Sequence, residues 1–484
     1  MLPRLVPRAA RGAARRCGAG LRRLLSESAP ARLPVEVTRV TTLSNGLRVA
    51  TERVHAECET VTLGVWFDCG SRYEAVENNG AAHFLEHIAF KGTRRRSQYQ
   101  LEKAIEDMGA HLNAYTSREQ TVYYARLFKA DVAQGMDVLA DILQHSLIDT
   151  QAVEKERGTI LREMEEVYKN HEERVLDLLH EAAYKDGGLG RTILGPEENI
   201  KRITAPDLRA YIETHYTAPR TVIVAAGAVD HDEIVALSEK YWSNLPEASR
   251  TDFAVDFEPA KFTPEEVRLP DEAEPRTHIG IAFDGASWTS EYSVPLMVLQ
   301  TLVGQWDRMN PVAGGAETSP FKLARTLARE DAAHLYLSFN TCYHDGGIFG
   351  LYIVAPPESA DIVVQRVMEY LASLSEDGAF TEDDVERAKT QLKANILCQL
   401  DSLAHVAEEI GRQILTYQRR MPISEVLARI DAVTVSDVTV TARHFLQDKD
   451  HAMAVYGAVE NVPPYEDNHI KNFSKSKSKS WFNF

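Results

Sequence analysis

Short stretches of alternating apolar and polar residues, or of almost continuous apolar residues, predict β-strands in the first half of the chain. These stretches lie at 35–50, 60–68, 111–117, 121–124 and 220–229. Asn45-Gly46 interrupts the first of them and predicts the tight turn of a β-hairpin. Apolar residues at helical spacing predict amphipathic helices at 81–91, 98–108, 131–144, 153–183 and 230–242. The pattern therefore indicates an α+β fold.

The second half of the chain repeats elements of the first. Leu63-Gly64-Val65-Trp66-Phe67-Asp68 is similar to Ile279-Gly280-Ile281-Ala282-Phe283-Asp284, which lies 216 residues later. The strand end Gly227-Ala228-Val229-Asp230 has a counterpart in Gly457-Ala458-Val459-Glu460. Two such matches indicate a duplicated α+β unit.

The repeat and the local composition predict five segments. They are a basic leader at 1–25, a first unit at 36–247, a charged linker with prolines at 248–275, a second unit at 276–465 and a tail at 466–484. Serine and lysine alternate in the tail, which is typical of low-complexity sequence, and the tail ends in Trp481-Phe482-Asn483-Phe484. Those aromatic residues suggest docking onto a partner; an unpacked tail is the alternative.

The overall composition is that of a soluble globular protein with two domains or more. The chain has 484 residues, of which 44% are hydrophobic and 26% are charged. No stretch approaches the roughly 20 consecutive apolar residues that a membrane-spanning helix needs. The five cysteines are scattered and form no CxxC pair. This indicates reduced thiols and argues against a disulfide framework or a thiolate metal site.

Charge is distributed unevenly along the chain. Residues 1–25 contain seven arginines and no acidic residue, interleaved with alanine, leucine and glycine, as in a mitochondrial presequence. A nucleic-acid-binding arm is disfavoured because Leu21, Leu24 and Leu25 give the segment an apolar face and lysine is absent. The formal net charge is −17, and loss of the leader would make it more negative by seven. We therefore expect no nucleic acid partner and an affinity for basic ligands.

The segment His83-Phe84-Leu85-Glu86-His87 combines two histidines and a glutamate at helical spacing. On a helix, His83 and His87 lie one turn apart on the same side, as two nitrogen ligands of a tetrahedral Zn²⁺ must. Glu86 falls on that side too, where a carboxylate can take a proton from a water at the metal. This order, H-x-x-E-H, is the inverted zinc-peptidase motif.

A chance match is the alternative, because the chain contains sixteen histidines and the pentapeptide alone is only moderately specific. Small residues precede the motif and apolar residues surround it, which predicts a largely buried helix. Burying two imidazoles and a carboxylate without partners would cost several kcal/mol, and a bound metal would remove that cost. The equivalent positions of the second half, 299–303, carry no ligand, so any metal chemistry belongs to the first half.

A third ligand must come from elsewhere in the chain, and residues 154–177 are rich in acids. The candidates are Glu154, Glu156, Glu163, Glu165, Glu166, Glu172, Glu173 and Asp177. Glu156 and Glu163 share one helix face, with Ile160 one turn from each, which places both toward the core. Periodicity does not choose between them, and most of these acids are expected on a solvated surface.

The chain resembles a known family in these features. The H-x-x-E-H order, a glutamate 76 residues after the second histidine and two tandem α+β units are similar to the pitrilysin-type zinc peptidases. The resemblance covers the chain from about residue 37 onward. It is most specific for the branch of mitochondrial processing peptidase β subunits and core-one subunits of respiratory complex III. The similar segments are His83–Thr93, Leu112-Asn113-Ala114-Tyr115 and Ile160-Leu161-Arg162-Glu163-Met164.

The resemblance implies a fold and a metal site. The fold would consist of two tandem homologous α/β-roll domains, each a mostly antiparallel sheet flanked by helices. His83, His87 and Glu163 would bind Zn²⁺, and Glu86 would be the general base. Glu156 would support one of the metal ligands.

The resemblance also implies a substrate site for presequence peptides. The peptide would add as a strand to the sheet edge that contains Asn113, Ala114 and Tyr115, so that backbone hydrogen bonds supply the affinity. Phe90 would line the pocket for an apolar residue after the cut. Glu173 and Asp177 would bind the arginine just before it; the alternative for this acidic pair is a solvated helix face.

Three functions are compatible with the resemblance. The chain would be a zinc endopeptidase that removes presequences in the mitochondrial matrix, a silent structural core subunit of complex III on the matrix side of the inner membrane, or an active subunit within that complex. The intact motif favours an active enzyme. The family enzyme is a heterodimer whose α subunit carries a glycine-rich loop. This chain has only Gly314-Gly315 in the corresponding region. The expected partner is therefore the α subunit or a core-two subunit. Within complex III, other subunits of the complex would be further partners.

Overall fold

The computed structural model describes residues 38–54, 58–185, 187–251, 259–310 and 318–473. The predicted leader at 1–25, Gly314-Gly315 and the tail from residue 474 lie outside these residues. Within them, no helix combines the length and the apolar character that a bilayer crossing requires. The cysteines of this part, Cys58, Cys69, Cys342 and Cys398, are free thiols, in agreement with the sequence.

The first half builds a six-stranded sheet in the order β1-β2-β6-β3-β5-β4. Its strands are β1 (Arg39–Thr42), β2 (Arg48–Arg53), β3 (Thr60–Phe67), β4 (His111–Thr116), β5 (Thr121–Phe128) and β6 (Thr221–Gly227). Only β2 and β6 run parallel, and the other neighbours are antiparallel. β1 and β2 form the predicted hairpin, and Gly46 supplies its turn with a φ of 89°.

The second half builds a sheet of the same design in the order β7-β12-β8-β11-β10-β9. Its strands are β7 (Glu266–Pro270), β8 (Thr277–Asp284), β9 (Gln305–Asp307), β10 (Leu335–Cys342), β11 (Gly347–Ala355) and β12 (Ala452–Gly457). The parallel pair is β7 with β12, which matches β2 with β6 in the first sheet. The predicted duplication and the α+β fold class are therefore confirmed.

The second unit is longer than the sequence indicated. Strand β7 lies inside the segment 248–275 that we predicted as linker, and it pairs with β12 through Val267 and Ala454. Its residues are only partly buried, so their mixed charged and apolar sequence has the pattern of a connection rather than of a strand. At the other end, Ile470 is 2% exposed and packs on the second core, although the tail was predicted to begin at 466.

Helices surround both sheets. In the first half they are α1 (Ala81–Ile88), α2 (Gln98–Asp107), α3 (Val132–Gln144), α4 (Thr150–Val167), α5 (His171–Ala183), α6 (Glu197–Arg202), α7 (Ala205–His215) and α8 (His231–Trp242). In the second half they are α9 (Ser293–Val303), α10 (Lys322–Arg329), α11 (Ala360–Ser373), α12 (Glu382–Gln399), α13 (Leu403–Tyr417), α14 (Ile423–Ala432) and α15 (Val435–Leu446). The single helix predicted at 153–183 is wrong. It is two helices, α4 and α5, because Asn170 adopts an extended backbone.

Each half covers one face of the other half's sheet. Helix α13 of the second half packs its apolar face on the outer face of the first sheet, around Trp66. Helix α5 of the first half packs on the second sheet, with Val175 and Leu179 against β8 and β12. Gly411 permits the first contact, because a Cβ there would come within 2.5 Å of the Trp66 ring. Through this exchange of helices, α5 contacts the second sheet and α13 contacts the first, so the two halves share their packing.

Candidate functional site

Helix α1 carries the H-x-x-E-H segment and begins directly after Gly80. Gly80 has a φ of 106°, a conformation that favours glycine, and a Cβ there would approach the Leu194 carbonyl oxygen to 2.8 Å. His83 is buried, whereas Glu86 and His87 are partly exposed on the side that faces β4 and α4. The small residues before the motif therefore allow a close approach of neighbouring backbone, and the helix fixes the two histidines one turn apart.

Glu74 holds the start of this helix, and the sequence analysis missed it. Its carboxylate accepts hydrogen bonds from the backbone N–H groups of Gly80, at 2.9 Å, and Ala82, at 2.7 Å. The side-chain amide of Asn79 donates a third bond at 2.7 Å. These donors include free N–H groups of the first helical turn, which attract a negative charge. A glutamate seven residues before the start of a helix gives no periodic signal, so only the structure reveals this role.

We expect Glu74 to make stability depend on pH. Burial raises its pKa to about 7, against 4.5 for a free glutamate, while the three N–H donors oppose that rise. The folded chain then binds more protons than the unfolded chain between these values, so the free energy of unfolding falls as pH rises through them. The free energy of unfolding of the native chain, minus that of Glu74→Gln, should therefore fall by about 3 kcal/mol across this range in urea unfolding, because glutamine does not titrate. A value that stays constant or rises with pH would show that the donors keep Glu74 ionised throughout.

The structure brings His83, His87 and Glu163 together although Glu163 lies on a different helix, α4. His83 Nε2 is 3.6 Å from Glu163 Oε1, and His87 Nε2 is 2.9 Å from Glu163 Oε2. The two imidazole rings are 4.8 Å apart and steeply inclined to each other. Of the eight acids that the sequence left open, Glu163 is the one whose carboxylate reaches both histidines.

The electrostatics of this cluster are those of a ligand set. The His83 and His87 imidazoles hold the pKa of Glu163 well below its usual range, so the carboxylate is ionised. Burial lowers the pKa of His87, but Glu163, Glu86 and Glu156 together raise it above its ordinary value. Three carboxylates around two imidazoles attract positive charge, and a proton or a divalent cation can supply it.

The arrangement fits a tetrahedral divalent cation. Zn²⁺ with bonds of ~2.0–2.1 Å holds its ligand atoms roughly 3.3 Å apart, and the two histidine–Glu163 separations of 2.9 and 3.6 Å lie on either side of that value. All three ligand atoms of the cluster lie within 4.8 Å of one another. Glu163 is 39% exposed, so the cluster is open on one side, where a substrate can approach. Two imidazole nitrogens and one carboxylate oxygen are the donor set of a catalytic zinc site.

Glu156 lies on α4, two helical turns before Glu163, and its carboxylate is next to the His87 ring. Its Oε2 is 3.5 Å from His87 Nδ1, and its Oε1 accepts a bond from Lys91 Nζ at 2.8 Å. The carboxylate therefore faces the imidazole nitrogen that a metal does not need, and Lys91 compensates its buried charge. The resemblance implied a supporting role for Glu156, and the contact with His87 is compatible with that prediction.

The Glu86 carboxylate is connected to the edge of the first sheet. Thr116, the last residue of β4, donates a hydrogen bond to Glu86 Oε2 at 2.7 Å. One oxygen is thereby oriented, and the other remains available for a water. The sequence analysis missed Thr116 because it is separated from Glu86 by 30 residues.

Strand β4 is the last strand of the first sheet as described, and it contains the three predicted edge residues. Asn113 is exposed, and Ala114 is half-buried against the first core on the same side as α1. Tyr115 points to the opposite face, beneath α13, where burial and the nearby Glu408 carboxylate raise its pKa. Its side chain is thus occupied by the second half, and only its backbone can serve a peptide strand.

The remaining predicted substrate residues have different surroundings. Phe90 is partly buried and lies 6.2 Å, centroid to centroid, from the Tyr123 ring. Glu173 is exposed on α5. Asp177, one turn later, already accepts a bond from the buried Arg118 guanidinium at 2.6 Å. The two acids are therefore not equivalent, because Arg118 neutralises Asp177 whereas Glu173 is exposed.

Two family models match the chain. The model described as Insulinase (Peptidase family M16) matches residues 48–197, which include all four residues of the H-x-x-E-H and Glu163 cluster. The model described as Peptidase M16 inactive domain matches residues 202–392, which include most of the second sheet. The H-x-x-E-H cluster therefore lies in the first matched domain, and the second matched domain is the one described as inactive.

Curated relatives are similar over most of the chain. The probable mitochondrial-processing peptidase subunit beta of Arabidopsis thaliana is 48% identical over 429 residues, which cover 88% of this chain and 80% of the relative. The mitochondrial-processing peptidase subunit beta of Bos taurus is 46% identical over 451 residues, with 92% and 90% covered. The same subunit of Blastocladiella emersonii is 48% identical over 435 residues, with 90% and 91% covered.

One solved structure has the same fold. A chain of Complex III2 from Candida albicans, Inz-5 bound, superposes with a TM-score of 0.78. The match covers 90% of this chain and 99% of that chain, at 24% sequence identity. At this identity the similarity establishes the fold and nothing finer.

Proposed function

This chain belongs to peptidase family M16, and from that premise we propose that it is the β-type subunit of a zinc endopeptidase that removes targeting presequences from imported mitochondrial proteins. The observation that carries the proposal is the convergence of His83, His87 and Glu163, with Glu86 beside them and the edge strand β4 in contact with Glu86. Relatives named mitochondrial-processing peptidase subunit beta support the class of substrate.

The proposed chemistry divides among a few side chains. His83, His87 and Glu163 would hold Zn²⁺, which supplies a Lewis acid for the scissile carbonyl when bound. Glu86 accepts a proton from the attacking water and donates it to the leaving amine. Thr116 holds one Glu86 oxygen by its 2.7 Å hydrogen bond, so the proton moves at the other oxygen.

The substrate site combines strand addition with negative charge. A presequence peptide would pair with β4 next to Asn113 and Ala114, which brings its backbone beside Glu86. Phe90 would contact the apolar residue after the cut. The arginine before the cut would bind to exposed Glu173, and to Asp177 only as far as its bond with Arg118 allows.

The proposed partner is an α-type subunit with a glycine-rich loop, or a core-two subunit, in the matrix or on the matrix side of the inner membrane. The relatives' names include "subunit beta", which supports a heterodimer. The alternative function is a catalytically silent core subunit of complex III. The complete cluster of His83, His87, Glu163 and Glu86 favours activity, since a purely structural subunit has no need of it.

We expect the chain, assembled with an α-type subunit, to cleave a presequence peptide and to lose this activity when a chelator removes the metal. Replacing the arginine before the cut by alanine should slow cleavage by the native complex about tenfold, since a charged hydrogen bond is lost. In Glu173→Gln, the same peptide replacement should have a much smaller effect. The rates are measured as kcat/KM for both peptides.

Glu181→Gln is the matched control, because Glu181 is an exposed glutamate two turns further along α5. It should preserve the preference for arginine. An equal preference in Glu173→Gln and the native complex would refute the role of Glu173. Absence of any cleavage by the assembled, metal-loaded complex would refute the peptidase proposal and leave the silent core subunit.

A further inference from the structure

A second group of ligand-type side chains lies where α5 meets the second sheet. His171 is the first residue of α5, Glu274 precedes β8, and His278 is in β8. His171 Nδ1 is 3.5 Å from Glu274 Oε2, and His278 Nε2 is 3.3 Å from Glu274 Oε1. The two imidazole rings are 4.7 Å apart. Among the described residues, this is the one other group that matches the geometry of the first cluster.

The Nε2 nitrogen of His278 is aimed into this group but forms no well-aligned hydrogen bond. The residue is 2% exposed, and the 3.3 Å contact of Nε2 with Glu274 Oε1 lacks hydrogen-bond geometry. The other nitrogen, Nδ1, is 2.7 Å from the Tyr352 hydroxyl. If that nitrogen donates to Tyr352, the Nε2 lone pair faces the Glu274 carboxylate, an arrangement that is unfavourable unless a cation lies between them. Tyr352 fixes the ring of His278 through its second nitrogen, as partners of metal-binding histidines do.

We propose that His171, Glu274 and His278 form a second binding site for a divalent cation of the class that prefers imidazole, with Zn²⁺ as its representative. The separations of 3.3 and 3.5 Å are close to the edges, roughly 3.3 Å, of a tetrahedral zinc site with bonds of ~2.0–2.1 Å. His171 comes from the first half and the other two ligands from the second. A bound ion therefore links α5, which carries the acidic pair, to the sheet of the other half.

Nearby arginines make this site weaker than the first. Arg276 Nε donates to Glu274 Oε1 at 2.6 Å, and its side chain is 47% exposed, so it lies on the solvent side of the carboxylate. Arg174 stacks on the Tyr456 ring at 4.4 Å, with Tyr456 also 5.3 Å from His171. Both positive charges oppose a divalent cation. The site should fill only at a higher Zn²⁺ concentration than the first cluster.

The test uses the full chain with the first cluster disabled by His83→Leu and His87→Leu, so that it does not depend on peptidase activity. Titration with Zn²⁺, or with Co²⁺ followed by its visible absorption, should show about one bound ion per chain. Adding His171→Gln should remove this binding. His171 is partly exposed at a helix start, so the variant should fold; its circular dichroism verifies this.

His405→Ala is the matched control, because His405 is an exposed histidine outside both groups, and it should leave the titration unchanged. Zn²⁺ should also raise the melting temperature of the disabled chain but not that of its His171→Gln form. Equal metal binding with and without His171 would overturn the proposal. So would the absence of any bound ion in the disabled chain, which would leave a metal-free hydrogen-bonded contact.

Discussion

Glu86→Gln is expected to abolish peptide cleavage while the metal stays bound. Glu86 is half-buried beside His83 and His87, and its carboxylate is the one in the cluster that faces β4 through Thr116. Glutamine preserves the size and the Thr116 hydrogen bond but accepts no proton. The general base contributes about 10²–10⁴-fold to such reactions, so kcat should fall by that factor or more.

The measurement compares kcat, KM and zinc content of the native and Glu86→Gln complexes. An unchanged KM with a lost kcat would separate proton transfer from substrate binding. Glu166→Gln is a suitable control, because Glu166 is an exposed acid on α4 that pairs with Lys169, three residues away. Full activity in Glu86→Gln would exclude Glu86 as the base.

His83→Leu and Glu163→Gln are each expected to remove both the metal and the activity. His83 is 6% exposed, and leucine fits its buried position without supplying a ligand. Glu163 bridges the two histidines, so glutamine weakens both contacts at once. With two of three protein ligands left, zinc content should fall to a small fraction, and cleavage should fall below about one per cent of the native rate.

Glu156→Gln provides a graded comparison for these variants. Glu156 contacts the far nitrogen of His87 rather than the metal position, so its loss should weaken zinc binding about 10–100-fold without abolishing it. Metal content is measured by elemental analysis after dialysis against buffers of known free Zn²⁺. Native zinc content in both His83→Leu and Glu163→Gln would contradict the assignment of these ligands.

Strand alternation and the internal repeat predicted most of the fold. The hairpin around Gly46, the strands at 60–68 and 220–229 and the helix with the motif all occur, with ends that differ by a few residues. The failures have physical reasons. Strand β7 is a partly exposed edge, so it lacks a regular apolar pattern. The break between α4 and α5 at Asn170 interrupts a sequence whose amphipathic character continues on both sides.

The candidate site was only partly predictable. Spacing alone put His83, Glu86 and His87 on one side of a helix. Neither spacing nor composition distinguished Glu163 from its acidic neighbours. The contacts of Asp177 with Arg118 and of Thr116 with Glu86 join residues 59 and 30 positions apart, for which the sequence carries no signal.

The sequence by itself determined most strands and helices of the first half, the duplication and the side chains that share one helix face. These features depend on residues a few positions apart, whose relative placement the backbone periods of 2.0 and 3.6 residues dictate. Tertiary structure alone decided that α4 lies against α1, that α5 and α13 cross to the other half's sheet, and that His171 meets Glu274 and His278. Such long-range contacts result from the packing of whole helices and sheets, and this packing depends on the shapes of all the buried faces together.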